Sequence, residues 1–215
     1  MPRLTVPVVA AGSLRQAAQP VLQAGDLILR PWAEADADAL LTAFADPELQ
    51  RWHARTVESR AEAAAMIARY TQAWQDETAA HWAITGPAVL GRVALRVIDL
   101  DEGTTEIAYW VTRAARGRGV AARAARALTD WVLGDLGLHR IELQHAVANT
   151  ASCRVALKAG YAYEGTRRSS VLHADGWHDM HVHGRIRGDR VELDRVPGDT
   201  VPGATVPGDT AAGDA

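Results

Sequence analysis

The sequence predicts an α/β (α+β) domain in which helices cover both faces of a mixed, mostly antiparallel central sheet. Short apolar runs typical of strands alternate along the chain with longer stretches whose apolar residues recur at helical spacing. Tight turns such as Asp101-Glu102-Gly103 join neighbouring strands early in the chain, which favours antiparallel hairpins. One strand–helix–strand crossover follows between Thr105 and Val147, and such a crossover makes its two strands parallel.

The elements in the first half of the domain are predicted from apolar runs and the residues that interrupt them. In order, we expect a strand at Asp26–Arg30, helices at Glu34–Phe44 and Ser59–Trp74, and strands at His81–Thr85, Val89–Ile98 and Thr105–Val111. Pro31 closes the first strand, and Asp46-Pro47 ends the first helix because proline cannot continue it. The second helix has one apolar stripe that includes Ile67 and Trp74.

Glycines and one asparagine delimit the elements of the second half. In order, we expect a helix from Val120 to about Asp135, a strand at Arg140–Val147, a helix at Asn149–Lys158, and strands at Tyr161–Arg167 and His178–Ile186. Gly137 ends the long helix, and Asn149 can cap the short one. Gly160 supplies the left-handed residue that often follows a helix, and Asp175-Gly176 marks the last turn.

Composition and charge exclude several classes of protein. The 215 residues include 23 Lys and Arg against 26 Asp and Glu, a formal net charge of −3, which argues against nucleic-acid binding. No apolar run approaches the length of a membrane span. Because Cys153 is the only cysteine, no intrachain disulfide can form, and we expect a cytoplasmic protein that is a monomer or a homodimer.

The distribution of proline and glycine divides the chain into three regions. We expect residues 1–24 to form an N-terminal arm, packed on its own domain or on a second copy, and residues 25–190 to form the folded domain. Residues 191–215 are expected to be a flexible tail, since VPGDT, VPGAT and VPGDT repeat from Val196 to Thr210. A Pro-Gly pair every five residues prevents helices and strands, and little there can be buried.

The loop between the apolar run EIAYWV and the alanine-rich helix combines three arginines with two glycines: Arg113, Arg116, Gly117, Arg118 and Gly119. A helix N-terminus presents unpaired N–H groups, glycines let an anion approach the backbone, and arginines add charge, so the loop suits a phosphate group. A solvated loop with no ligand is the simpler alternative. The segment GRGVAA also matches a dinucleotide-binding pattern, but that pattern belongs to an open parallel βαβ unit, which the preceding hairpins do not provide.

Several motifs in the same order resemble the GCN5-related N-acetyltransferase (GNAT) family, and in particular its subgroup acting on ribosomal-protein N-termini. Arg116, Gly119 and Ala121 form R-x-x-G-x-A, similar to the acyl-CoA loop of that family. The segments LILRPW, EIAYWV, LHRIELQ, NTASCRVALKAGY and YEGTRR resemble further parts of the subgroup. The resemblance extends from about Asp26 to Arg187.

This resemblance implies an acetyl-CoA cosubstrate bound where the strands Thr105–Val111 and Arg140–Val147 splay apart. The pyrophosphate would contact the amides of the glycine loop, and the pantetheine arm would pair with the next strand. The cofactor residues implied are Trp110, Val111, Arg113, Arg116, Gly117, Arg118, Gly119, Val120, Ala121, Asn149 and Ser152. Asn149 serves equally well as only a helix cap, and Ser152 as a small packed residue.

The resemblance also implies the chemistry, in which a neutral primary amine attacks the thioester carbonyl. Many family members carry a tyrosine four residues before the equivalent of Gly160, but Ala156 stands there, so Ser152 becomes the candidate acid for the departing thiolate. Glu106 is the candidate base, with Glu164 as a rival, and a cross-strand ion pair is the alternative role for Glu106. The expected acceptor is a protein N-terminal amine. A small-molecule amine, including an antibiotic, and a non-catalytic acyl-CoA sensor are the alternatives.

Histidines and tryptophans provide two further candidates. His173, His178, His181 and His183 cluster in sequence, and His181 and His183 share one strand face at chelate spacing. No cysteine or other ligand at fixed spacing accompanies them, so we expect no metal site. Trp52, His53, Trp74 and Trp82 lie in the two-helix region that shapes the acceptor pocket in the family. Of these, Trp52-His53 after Pro47 is the candidate for substrate contact.

Overall fold

The structure, a computed structural model, describes residues 4–53 and 55–189 of the chain. Within these ranges eight strands form one sheet: β1 (Leu22–Ala24), β2 (Leu27–Pro31), β3 (Ala80–Thr85), β4 (Val89–Asp99), β5 (Thr104–Val111), β6 (Arg140–Ala146), β7 (Ala162–His173) and β8 (Gly176–Ile186). The α-helices are α1 (Ala37–Phe44), α2 (Pro47–Gln50), α3 (Arg60–Gln75), α4 (Val120–Trp131) and α5 (Thr150–Lys158). The tail predicted for residues 191–215 lies outside the described residues.

The topology confirms the predicted fold class. The strand order is β1-β2-β3-β4-β5-β6-β8-β7, and every neighbouring pair is antiparallel except β5 and β6. The parallel pair results from the crossover through α4, as the strand–helix–strand order predicts. Among the described helices, none is both long and apolar enough to cross a membrane.

Two apolar layers hold the helices against opposite faces of the sheet. Trp82 and Ile84 of β3 belong to a cluster that includes Leu128 of α4, whereas Ala83 between them packs with α1 and α3. This alternation is the two-residue period of a strand, which sends successive side chains to opposite faces. Trp110 of β5 belongs to the same layer as Ala83. The sheet therefore separates an α1–α3 layer from an α4–α5 layer.

The segment before β1 packs against this same chain. The amide of Val9 donates to the carbonyl of Leu100 at 3.0 Å. The carboxylate of Glu77, just after α3, accepts from the amides of Gly12 and Leu14 at 2.7 and 2.8 Å. Leu14 is fully buried in the core on the α4 side. These contacts lie within one copy of the chain.

The last two strands are longer than the sequence pattern predicts. β7 continues past Arg167 to His173, and β8 begins at Gly176. The polar run from Arg167 to Ser170 does not look like a strand. The pairs Arg167–Met180 and Val171–His178 flank an irregular stretch in which Ser169 has φ of 47°. Pairing with the partner strand is a non-local interaction that overrides the weak local preference. The result is a long hairpin that extends past the end of β6.

Candidate active site

A cleft opens between β5 and β6 because their pairing stops halfway. Thr104–Ile107 pairs with Arg140–Leu143 in parallel, and no pair follows. Beyond that point β5 stays bonded to β4 as far as Val111, while β6 stays bonded to β8 as far as Ala146. The two facing strand edges therefore keep backbone groups available to a ligand that enters between them. This is the splayed parallel pair that the family resemblance implies.

The glycine loop ends at the start of α4, beside the open end of this cleft. Gly117 and Gly119 have φ of 74° and 70°, the left-handed region that favours glycine. A Cβ at either position would meet no heavy atom within 4 Å, so the space next to the backbone is open. Gly119 is the N-cap of α4 and, having no side chain, cannot cap the helix, so the amides of its first turn have no capping side chain from that position. The helix start is therefore suited to an anion.

The three arginines of the loop have different surroundings. Arg116 donates to Asp46 at 2.5 Å and to Glu48 at 2.7 Å, so its guanidinium ties the loop to α2. Arg113 and Arg118 are exposed, and neither has an ion-pair partner in the described part of the chain. Of the three, Arg113 and Arg118 are therefore the better placed to meet a phosphate.

The N-terminal turn of α5 holds Asn149 and Ser152. Asn149 is the N-cap, and its side-chain oxygen accepts from the amide of Ser152 at 3.1 Å. The carbonyl of Ser152 accepts from the hydroxyl of Tyr109 on β5 at 3.3 Å. Tyr109 is half-buried, and the desolvation of its phenol raises its pKa, so the hydroxyl stays protonated. A hydrogen bond across the cleft thus holds the turn that carries the half-buried Ser152.

Glu106 lies near the point where β5 and β6 separate. It shares a face of the sheet with Trp110, four residues along the strand. Its two carboxylate oxygens accept from Arg96 of β4 at 2.7 Å and from Gln144 of β6 at 2.8 Å. The cross-strand ion pair considered from sequence is therefore present. The other candidate, Glu164, pairs with Arg140, which lowers its pKa.

Four other residues expected at the cofactor are held mainly by packing. The side chain of Trp110 packs in the α1–α3 layer, with ring centroids 6.2 Å from Trp32 and 6.0 Å from Phe44. Val111 pairs with Gly91 at the end of β4. Val120 and Ala121 are buried in the first turn of α4. The packing of Trp110, Val120 and Ala121 leaves their backbone as the part suited to a ligand, which is the kind of contact that the resemblance implies for Trp110 and Val111.

A second border of the cleft, which we call the acceptor border, consists of the segment 46–53 and the tip of the β7–β8 hairpin. Trp52 makes edge contacts with His173 and His178, with ring centroids 5.8 and 6.2 Å apart. His53 stacks edgewise on Phe44 at 5.5 Å. Because Arg116 joins the same segment to the glycine loop, residues 46–53 connect the loop to the hairpin. Trp74 and Trp82, by contrast, are buried in the core.

The four histidines grouped by sequence divide into two sets. His173 and His178 lie at the hairpin tip, 4.8 Å apart by ring centroid. His181 and His183 lie further along β8, under α5, next to His145 of β6. Burial lowers the pKa of His183 to about 4, so this imidazole is neutral at pH 7. The structure also brings Cys153 to this second set.

The chain matches a protein-family model described as Acetyltransferase (GNAT) domain over residues 26–162, more than half of its length. It belongs to the GNAT acetyltransferases. The family assignment based on motifs is thereby confirmed, and with it an N-acetyltransferase activity and acetyl-CoA as the cosubstrate.

The chain is similar to several proteins that are named as acetyltransferases. An uncharacterized N-acetyltransferase of Bacillus subtilis, YoaA, is 25% identical over 172 residues, covering 78% of this chain and 97% of its own. The ribosomal-protein-serine acetyltransferase of Escherichia coli is 28% identical over 98 residues, covering 46% of this chain and 55% of its own. A structure of RimL, the ribosomal L7/L12 α-N-protein acetyltransferase in complex with coenzyme A, is 20% identical. It superposes with a TM-score of 0.74 over 81% of this chain and 100% of that one.

Two parts of this GNAT site were not found from sequence. The sequence pattern assigns Tyr109 only to a strand, but its hydroxyl reaches the helix that carries Ser152. The pattern predicts a break at Asp46-Pro47, but a one-turn helix, α2, begins there, and its N-cap Asp46 and its Glu48 bind Arg116. No local signal predicts either contact, because the partners are 43 and about 70 residues apart in the chain.

Proposed function

We propose that this GNAT enzyme acetylates the α-amino group of a peptide or protein N-terminus. The observation that carries the proposal is the acceptor border, where Trp52 meets His173 and His178 on the side of the sheet that carries Glu106. Such a border offers flat rings to a peptide backbone, and the Glu106 carboxylate attracts an ammonium group. The E. coli relative that acetylates a ribosomal-protein serine supports the same class of acceptor.

In this proposal the cofactor lies along the facing edges of β5 and β6. Its pyrophosphate contacts the amides at Gly119, Val120 and Ala121, where the helix dipole and the exposed Arg113 and Arg118 favour negative charge. The pantetheine arm hydrogen-bonds to the backbone near Trp110 and Val111. The thioester then lies between the strands, near the N-terminal turn of α5.

The proposed reaction is a direct transfer. The neutral amine forms a C–N bond with the thioester carbonyl carbon, the tetrahedral intermediate collapses, and the C–S bond breaks. The amine proton passes to Glu106, directly or through water, and the thiolate of coenzyme A takes a proton through the hydroxyl of Ser152. Tyr109 positions Ser152 by binding its carbonyl. Each group is one that the sequence resemblance implied, apart from Tyr109.

The role of Glu106 is tested by Glu106→Gln, because glutamine keeps the size of the side chain but cannot accept a proton. If Glu106 is the base, kcat/KM falls by about a hundredfold, since general-base catalysis contributes about that factor. Arg96→Gln is the matched control, because it removes the ion pair and keeps the carboxylate. An equal loss of kcat/KM in both variants would show that Glu106 has only a structural role.

The acceptor class is tested by incubating the full chain with acetyl-CoA and two panels of amines, followed by mass spectrometry. One panel contains peptides with free N-termini and the same peptides with blocked N-termini; the other contains small-molecule amines, including amine-bearing antibiotics. Acetylation of free N-termini alone is expected. Reaction only with small molecules would replace the peptide proposal, and binding of acetyl-CoA without transfer to any amine would favour a sensor.

We also propose a cytoplasmic location. The single cysteine, Cys153, is buried and free, as expected in a reducing compartment. Fractionation of expressing cells tests this. Finding the protein outside the cytoplasm would remove ribosomal proteins from the acceptor candidates.

A further inference from the structure

Four potential metal ligands meet under α5, in a group that we call the His3Cys cluster. It consists of His145 on β6, His181 and His183 on β8, and Cys153 on α5, and one ligand atom from each lies within 4.8 Å of the others. The sheet register explains the approach of the histidines, because His145 pairs directly with His181 and Leu143 pairs with His183. Paired residues of neighbouring strands point to the same face. Cys153 then faces them from the helix above.

Three members of the cluster are buried and His181 is half-buried, and the nitrogens of the cluster are incompletely satisfied. His183 is only 1% exposed, His145 5% and Cys153 9%. The Nδ1 of His145 lies 2.8 Å from the carbonyl of Ala146, so that nitrogen carries the proton and Nε2 carries a lone pair. This Nε2 lies 3.2 Å from Nε2 of His183. Within the described residues, Nδ1 of His183 and Nδ1 of His181 are buried without a hydrogen-bond partner.

Both neutral tautomers of His183 leave an unfavourable polar contact in the cluster. If Nε2 of His183 carries the proton, it can donate to His145, but its buried Nδ1 lone pair has no donor. If Nδ1 carries the proton, two lone pairs face each other at 3.2 Å. Buried polar atoms without partners are uncommon in folded proteins, because each costs free energy. A cation between the rings would remove the repulsion of the second tautomer, since both Nε2 lone pairs could then bind it. The Nδ1–H of His183 would still need an acceptor, such as a water molecule.

We propose that His145, Cys153, His181 and His183 bind one Zn²⁺ ion. Three imidazoles and one thiolate form a donor set that zinc prefers, and the ion adopts a tetrahedral arrangement with such ligands. Ligand atoms around tetrahedral zinc lie about 3.3–3.8 Å apart, so a separation of at most 4.8 Å needs only small side-chain rotations. On binding, the thiol of Cys153 loses its proton to solvent and a Zn–S bond forms. The contact of His145 with Ala146 is the kind that orients a ligating histidine.

The role of this ion is to hold α5 against the sheet. Four protein ligands complete the coordination, which leaves no open position for catalysis. The site would crosslink β6, β8 and α5, and Cys153 is adjacent to Ser152 in the chain. The metal would therefore help to fix the turn that faces the cofactor. The sequence did not indicate this site, because the cysteine and His145 are far from the histidine pair in the chain.

Binding is tested with the tag-free full chain, freed of metal by dialysis against a chelator. After incubation with Zn²⁺ and removal of excess metal, we expect elemental mass spectrometry to find about one Zn²⁺ per chain. With Co²⁺, the wild type should give the intense visible bands of a tetrahedral site and a thiolate-to-cobalt charge-transfer band in the near ultraviolet. The melting temperature should rise with Zn²⁺.

Variants identify the ligands. Cys153→Ser should lose the charge-transfer band, and His183→Gln should bind Zn²⁺ at least about tenfold more weakly. The matched control is His178→Gln, which alters a histidine of the same strand outside the cluster and should bind like the wild type. A wild-type chain that retains no stoichiometric metal, or that binds Co²⁺ without the charge-transfer band, would overturn the proposal. The Co²⁺ spectrum of the wild type decides this even if a variant does not fold.

Discussion

The two sides of the cleft are built in different ways. On the proposed cofactor side, consecutive residues from Arg116 to Ala121 form the loop and the helix start, and the two glycines need no distant partner for their conformation. On the proposed acceptor side, Trp52 meets His173 and His178 across more than a hundred residues of chain. The conformation of the glycine loop is thus specified locally, whereas the aromatic border depends on tertiary contacts.

The largest expected effect is at the cofactor side, where Gly119→Glu should abolish acetyl-CoA binding. The substitution places a side chain and a negative charge in the open space where the pyrophosphate would bind, at a φ of 70°. Repulsion of this kind costs several kcal/mol, so we expect affinity to fall by at least about a hundredfold by calorimetry. Gly188→Glu is the control, since it has φ of 96° and open space beyond the end of β8. Equal affinity for acetyl-CoA in the two variants would show that the cofactor does not bind at this loop.

The next largest effect is expected on turnover, at Ser152. Ser152→Ala should lower turnover by about ten- to a thousandfold, the scale of one lost acid or transition-state donor. Calorimetric binding of acetyl-CoA should change little, because the loop supplies most of the contacts. A thiol-release assay with an accepted amine measures the turnover. Thr150→Ala removes an exposed hydroxyl from the same helix and should have no effect. Unchanged turnover in Ser152→Ala would leave water or the amine as the proton source.

A smaller effect is expected at the acceptor side. Trp52→Ala removes the ring that contacts His173 and His178, and should raise KM for a peptide acceptor by about tenfold, with acetyl-CoA affinity unchanged. Steady-state kinetics with varied peptide measures the change. Trp177→Ala is the control, because Trp177 is 64% exposed on the same hairpin and makes no ring contact in the described structure. A change in acetyl-CoA affinity in Trp52→Ala would show that the two sides are not separable.

The last effect, which lies outside both sides of the cleft, is on the stability of the α1–α3 layer that supports the acceptor border. His81 stacks on Tyr70 at 3.9 Å, and burial lowers its pKa to about 3. The unfolded chain binds a proton at this residue near pH 6.5, so stability is present above that pH and is lost as the pH falls toward 3. The free energy of unfolding should therefore decrease by up to about 1.4 kcal/mol per pH unit for this group.

His81→Phe tests this directly, since phenylalanine keeps a ring against Tyr70 and does not titrate. Urea unfolding between pH 7 and pH 4 should give a flatter profile for this variant than for the wild type. His139→Phe replaces an exposed histidine and should leave the slope unchanged. If the free energy of unfolding of His81→Phe depends on pH as steeply as that of the wild type, other groups cause the acid sensitivity.

Much of the fold could be predicted from the sequence because its signals are local. Gly137 ends the α4 region with φ of 87°, and Asn149 caps α5, both as expected from residue type. The crossover through α4 made β5 and β6 parallel. The extent of β7 could not be predicted in the same way, because the strand continues only where Val171, Leu172 and His173 pair with β8, beyond an irregular stretch around Ser169.

The sequence by itself determined the order of elements from β2 to β8 apart from α2, the glycine loop and the family, because each depends on neighbouring residues or on motifs in a fixed order. It did not indicate β1, which lies in the segment predicted as an N-terminal arm. Tertiary structure decided the partners of side chains distant in the chain. It turned Arg116 toward Asp46 and Glu48, joined Tyr109 to the helix of Ser152, and separated His173 and His178 from the His3Cys cluster. The physical reason is that a hydrogen bond, an ion pair or a metal ligand set depends on distance in space. Sheet register and helix packing set that distance, and residue spacing along the chain does not.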